Sequence, residues 1–376
     1  MRMLFTFVSG SGHFLPLVPV ARAATAAGHT VAFAGSADMA SKIEAAGFTG
    51  FPTVRRRSPG AAPQEQPERM SAIPVDPERD EQVVRQGFAG RAAREQAAAI
   101  IALAREWRPD VLVREEVDFG TAIAAEVLAV PCATVIVLLA GGALRTEVVA
   151  EPLCELREEY GLPPDPQLAV LGRGLVLSPC PPSFRDPDFP LPGTAFSYRP
   201  AAAIPASPAS QPPTVYVTLG TGYATIDLFS RILGGLREIA ANVVVTVGER
   251  IDPAELGPMP DRIRIEGFTP QESILPGCDL VVSHGGSGSV LGALAHGLPS
   301  VLLPMAADQP HNARRCADLG TARVLDAACA TPDEIRAAVS AVLAEPAYRR
   351  AAARIQDEIN TLPEPEQAIP LLERLR

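Results

Sequence analysis

The chain has 376 residues, 47% apolar and 20% charged, with a formal net charge of -10. That balance excludes a disordered chain, and the length suits two domains that each bury a core of their own. Nucleic acid is excluded as a partner because an acidic chain whose one dense basic run is Arg55, Arg56 and Arg57 has little with which to neutralise phosphates, and no stretch is long and apolar enough to span a membrane.

Strand and helix signals alternate from the start. RMLFTFV reads as a strand, Ser9 to His13 as a glycine loop, and Phe14 to Ala27 as a helix stopped by Gly28. TVAFAG, a helix over Ala37 to Ala46 and FTGFPT follow. From Val54 to Arg79 the chain is rich in Pro, Arg, Gln and Ser without a period, which marks a candidate substrate lid. A long helix is expected over Glu81 to Trp107, then the strand DVLVREE, a helix over Thr121 to Leu128, PCATVIVLL, a helix over Glu147 to Tyr160, and GLVLSPCP as the last strand of this half. Prolines and small residues crowd Phe184 to Pro213, which reads as linker.

The second half repeats the alternation: TVYVTLG, a helix over Asp227 to Ala240, NVVVTVG, RIRIEGF, a helix after Pro270, DLVVS, a helix, PSVLLP, a helix and TARVLD. The chain then reads as helical from Thr331 to about Asn360 and again from Glu364. Two runs of alternating strands and helices predict two doubly wound, Rossmann-like α/β domains with parallel sheets. The expected boundaries are 1–200, a linker at 201–213, 214–360, and a C-terminal helix at 361–376 with the option of packing back on the first domain.

The chemistry concentrates at strand ends. In DLVVSHGGSGSVLGALA the strand ends in His284, Gly285, Gly286, Ser287, Gly288 and Ser289 before a helix begins, and the N–H groups that open a helix attract an anion such as a phosphate. PSVLLPM ends in Ala306, Ala307, Asp308 and Gln309, so a carboxylate and an amide stand ready for hydroxyls. Phosphate cradle and hydroxyl pair together suit a sugar diphosphate. Gly220 and Thr221 end another strand and offer further donors, and Phe268 with Thr269, in EGFTPQ, supplies a ring able to stack on a nucleobase.

His13 stands in the loop after the first strand, where an imidazole can act as general base. A carboxylate partner comes from the fourth strand's end. Glu115 is first choice, with Glu116 and Asp118 also in reach. The first loop lacks the third glycine and the acidic residue of a dinucleotide site, and neither Ser11 nor Ser287 sits in a G-x-S-x-G elbow, so NAD or FAD and a hydrolase nucleophile both fall away. Six scattered cysteines without a C-x-x-C pair indicate neither metal nor disulfide framework and suit a reducing, cytoplasmic setting. Asp186-Pro187-Asp188 makes a poor divalent site.

The SGSGHFLP loop, GFTPQ, SHGGSGS and PMAADQPHNA, in this order along nearly the whole chain, make the sequence resemble the inverting GT-B nucleotide-sugar glycosyltransferases, specifically the actinobacterial enzymes that decorate macrolide and calicheamicin-type enediyne antibiotics. The resemblance implies two Rossmann-like domains facing across a cleft, the first for the acceptor and the second for the donor. It implies a TDP- or UDP-sugar donor, a hydrophobic aglycone acceptor, no metal and no bound cofactor. His13 would be the base, and Glu115 stands where relatives usually carry aspartate. Phe268 and Thr269 would meet the base, His284, Gly286, Gly288 and Ser289 the diphosphate, and Asp308 and Gln309 the sugar, with Ser287 a donor-site candidate from its place in the glycine loop. A nucleotide-sugar epimerase of the same fold and a non-catalytic nucleotide-sugar binder are the rival readings, and homodimer formation stays open.

Overall fold

The computed structural model describes residues 1–8, 10–54, 74–200, 210–220, 222 and 224–376. The positions expected to form the lid, from 55 to 73, most of the linker, 201–209, and Ser9 and Thr221 lie outside the described residues. The described chain divides into two compact units: the first takes residues up to 54, those from Pro77 to 200, and Leu362–Arg376, and the second takes residues 74–76 and those from 210 to Thr361.

In the first unit, seven strands run parallel: β1 (Arg2–Thr6), β2 (Thr30–Ser36), β3 (Thr49–Val54), β4 (Val111–Glu115), β5 (Cys132–Val135), β6 (Val176–Ser178) and β7 (Ala195–Ser197). Their order is β3-β2-β1-β4-β5-β6-β7. β4 is buried at every residue, as a parallel strand covered on both faces must be, which is why VLVRE reads as a run rather than an alternation. One face rests on a cluster that includes Phe5, Phe7, Phe14 and Phe33 and is closed by Ala368, Ile369 and Leu372 from the end of the chain.

Six parallel strands form the second sheet: β8 (Thr214–Thr218), β9 (Asn242–Thr246), β10 (Ile263–Glu266), β11 (Leu280–Ser283), β12 (Ser300–Leu302) and β13 (Ala322–Val324), in the order β10-β9-β8-β11-β12-β13. Both sheets follow the doubly wound order in which the first strand of each unit lies beside its fourth, so the winding reverses between β1 and β4 and between β8 and β11. Ligands of open α/β sheets bind at the carboxyl ends of the strands flanking such a reversal.

Several expectations need correction. The proline-rich run from Phe184 is not all linker, since Ala195–Ser197 pairs with β6 as an edge strand, where prolines can flank a ladder without breaking it. After Pro270 the helix shrinks to one 3-10 turn, Gln271–Ser273. The helix from Thr331 is two, Pro332–Ala344 and Pro346–Thr361, because Pro346 cannot donate into a continuing helix. The long helix of the first half contains a π-helical stretch, Val83–Ala92, between Pro77–Gln82 and Ala93–Trp107. Among the described residues no helix is long and apolar enough to cross a membrane.

Candidate active site

At the β1/β4 reversal, the short helix Ser11–Phe14 carries His13 and β4 ends on Glu115. His13 Nδ1 lies 3.1 Å from Glu115 Oε1. The carboxylate is fully buried and accepts from the backbone N–H of Val117 at 2.6 Å and of Val8 at 3.4 Å. Those bonds fix it, so it holds the imidazole proton on Nδ1 and makes Nε2 the basic nitrogen. The Phe88 ring, carried by the π-helical stretch, stacks on the imidazole with centroids 5.8 Å apart and planes 27° from parallel.

The neighbouring acids do other work. Asp118 caps the helix Phe119–Leu128, accepting from the Thr121 N–H and hydroxyl, and also accepts from Gln96. Burial raises its carboxyl above the usual range, with the Thr6 hydroxyl opposing. Glu116 accepts from the N–H groups of Val137 and Leu138 and faces Arg185; burial raises its carboxyl too, and the Arg185 charge opposes it. Only Glu115 of the three is hydrogen-bonded to His13 among the described residues.

At the β8/β11 reversal, His284 leaves β11 between two glycines. A Cβ on Gly220 would lie 2.7 Å from His284 Cε1 and one on Gly286 would lie 2.4 Å from Nε2, so the bare backbone of both glycines is what admits the ring. Burial pushes its pKa down to about 4, the Asp308 charge and the Thr218 backbone offsetting this only in part. His284 is therefore neutral at pH 7 and offers a hydrogen bond, not a charge.

Gly286 opens the helix Ser287–Ala295, which has no side-chain cap and no acidic residue in its first turn. The early N–H groups of Ser287, Gly288 and Ser289 lack intrahelical acceptors, as at any helix start, and the nearby negative group comes from outside the helix, the Asp308 carboxylate on the Ser287 hydroxyl. Asp308 Oδ2 is 2.5 Å from the Ser287 hydroxyl and 2.8 Å from Asn312 Nδ2, and the same Asn312 amide reaches the Gly285 carbonyl at 3.0 Å. Asn312 is fully buried and ties the glycine loop to the helix Gln309–Asp318; sequence reading passed over it, although its place four residues beyond Asp308 on a helix was a usable signal. Ala307 adopts φ 59, a left-handed conformation rare for a residue with a side chain, in the turn that delivers Asp308.

Gln309 is buried, and its Oε1 accepts from the N–H groups of Met305 and Ala306, so its carbonyl end shapes this turn. Phe268 is 55% exposed just after β10, while the Thr269 hydroxyl donates to Glu266. No group of three or more His, Cys, Asp or Glu fit to hold a metal ion occurs among the described residues.

The N-terminal domain of the erythromycin biosynthesis protein CIII-like family matches residues 22–202, and its C-terminal domain matches residues 230–375. The chain belongs to this family. It is a nucleotide-sugar-dependent glycosyltransferase of the GT-B fold. The 3-alpha-mycarosylerythronolide B desosaminyl transferase of Saccharopolyspora erythraea is 27% identical, aligned over 100% of this chain and 98% of that one. The elloramycin glycosyltransferase ElmGT of Streptomyces olivaceus is 30% identical over 97% and 95%. Among solved structures, the spinosyn rhamnosyltransferase SpnG complexed with thymidine diphosphate superposes with a TM-score of 0.80 at 25% identity, covering 99% of this chain and 100% of SpnG. The rival readings, a non-catalytic nucleotide-sugar binder and an epimerase, find no support among these relatives.

Proposed function

We propose that this enzyme moves a deoxysugar from a TDP-sugar to a hydroxyl of a hydrophobic polyketide aglycone, with inversion at the anomeric carbon. His13 Nε2 takes the proton of the acceptor hydroxyl, whose oxygen attacks the anomeric carbon as the bond to the diphosphate breaks and TDP leaves. A single displacement inverts the configuration. Glu115 stabilises the imidazolium that forms. Residues 1–200 bind the acceptor and 214–360 the donor: His284 and the amides of Ser287, Gly288 and Ser289 receive the leaving diphosphate, Phe268 stacks on thymine, and Asp308 with Gln309 receives sugar hydroxyls. An enediyne acceptor rests on the sequence resemblance alone.

The observation that carries this reading is the buried Glu115 carboxylate on His13 at the β1/β4 strand ends. General-base catalysis is worth about 10²–10⁴-fold, so His13→Ala should lose that much transfer while keeping its TDP affinity. Full transfer by His13→Ala would remove the histidine from the reaction.

A further inference from the structure

A cavity of about 180 Å³ lies in the first unit beside residue 116. At roughly 30 Å³ of liquid volume per water, it has room for about six waters or one substituted six-membered ring, not for a whole aglycone. Glu116 and Arg185 supply its polar groups, and Leu138, Leu144, Phe189 and Pro190 its apolar ones. Gly141 admits the guanidinium, since a Cβ there would come within 2.9 Å of Arg185 Cζ.

The hydrogen-bond inventory selects the ligand's chemistry. Arg185 donates to the carbonyls of Phe189, Leu138 and Leu139. Glu116 Oε2 accepts from two backbone N–H groups, whereas Oε1 sits 3.9 Å from Arg185, too far for a hydrogen bond. Oε1 is thus the acceptor left to a ligand. Because the two side chains carry opposite charges, an anion meets Glu116 and a cation meets Arg185, so a neutral donor fits best. Leu138 and Leu144 of the cavity lining pack on the same apolar cluster as Phe88, the ring that stacks on His13, so the cavity and the base are joined through that cluster although Glu116 leaves the strand on the side away from Glu115.

We propose that this cavity anchors the acceptor: one ring enters it and a hydroxyl on that ring, other than the one glycosylated, donates to Glu116 Oε1. The inference rests on the first unit being the acceptor side. A hydrogen bond to a carboxylate is worth roughly 10- to 100-fold in affinity. The test uses 4-fluorophenol and 4-fluoroanisole, binding followed by fluorine NMR without donor, on the full chain. The phenol should bind about tenfold or more tighter than the ether. Glu116→Gln, which turns an acceptor into a donor, should erase that preference, and Leu144→Phe should abolish binding of both probes, while all variants keep TDP affinity. Equal binding of the two probes, no binding of either, or phenol binding unchanged by Leu144→Phe would overturn the subsite. Loss of TDP binding with the phenol preference intact would instead break the donor-site reading and leave the subsite standing.

Discussion

Adding one methyl group to Gly286 should damage the donor site in a way the same change at Gly288 does not. At Gly286 the backbone has φ -63 and ψ 147, which alanine adopts freely, so the effect of Gly286→Ala is steric alone. The new Cβ falls 2.4 Å from His284 Nε2, more than 1 Å inside ordinary contact, so the ring must shift to admit it. Overpacking of this kind costs about 1–3 kcal/mol, which in a domain of this size lowers Tm by about 2–10 °C. If His284 holds the diphosphate as proposed, displacing the imidazole should also weaken TDP binding by roughly 10- to 100-fold. At Gly288 nothing lies within 4 Å of the added Cβ, and alanine is the better helix former, so Gly288→Ala should hold or raise Tm. Thermal unfolding and titration calorimetry with TDP on the two variants decide it. Should Gly286→Ala melt with Gly288→Ala and bind TDP as the parent does, the packing of His284 between two glycines has no energetic weight.

Phe88→Ala should lower kcat/KM for transfer by about 2- to 10-fold through loss of the stack on His13, with TDP affinity unchanged and Phe88→Leu intermediate, as steady-state kinetics would show. Asn312→Ala should cost the second unit about 1–3 kcal/mol in urea unfolding, because the Gly285 carbonyl and Asp308 lose their shared donor. Asn312→Asp should cost more, since it sets a second carboxylate against Asp308. For pH, His284 has a folded pKa of about 4 against an ordinary 6.5, so below pH 6.5 the unfolded chain takes up a proton the folded one refuses. Stability is therefore full above about pH 6.5 and falls by roughly 3 kcal/mol toward pH 4, a decline that His284→Gln should flatten in denaturation series.

Much of this site was legible because valine-rich strands ending in glycine announce both the sheet and the loops at its carboxyl edge. The places of His13 and His284 at the strand ends were read that way. The choice among Glu115, Glu116 and Asp118 was not legible with the same force, because successive side chains leaving a strand point to opposite sides. One residue of register sends Glu115 to His13 and Glu116 to the Val137 and Leu138 amides, while two further on Asp118 becomes a helix cap. Phe88 was hidden for a related reason: a π-helical stretch breaks the 3.6-residue period from which a helix face is read. β7 escaped because three residues among prolines carry no pattern, and only the edge of β6 makes them a strand.

The return of Leu362–Arg376 to the first unit sets rules for anyone recombining such enzymes. Ala368, Ile369 and Leu372 complete a core begun by Met3 and Phe5, yet the ribosome makes them only after the entire second sheet. A fragment ending at residue 200 would expose an apolar seam and tend to aggregate. A chimaera that borrows another donor half should splice in residues 210–361 alone and keep the native tail.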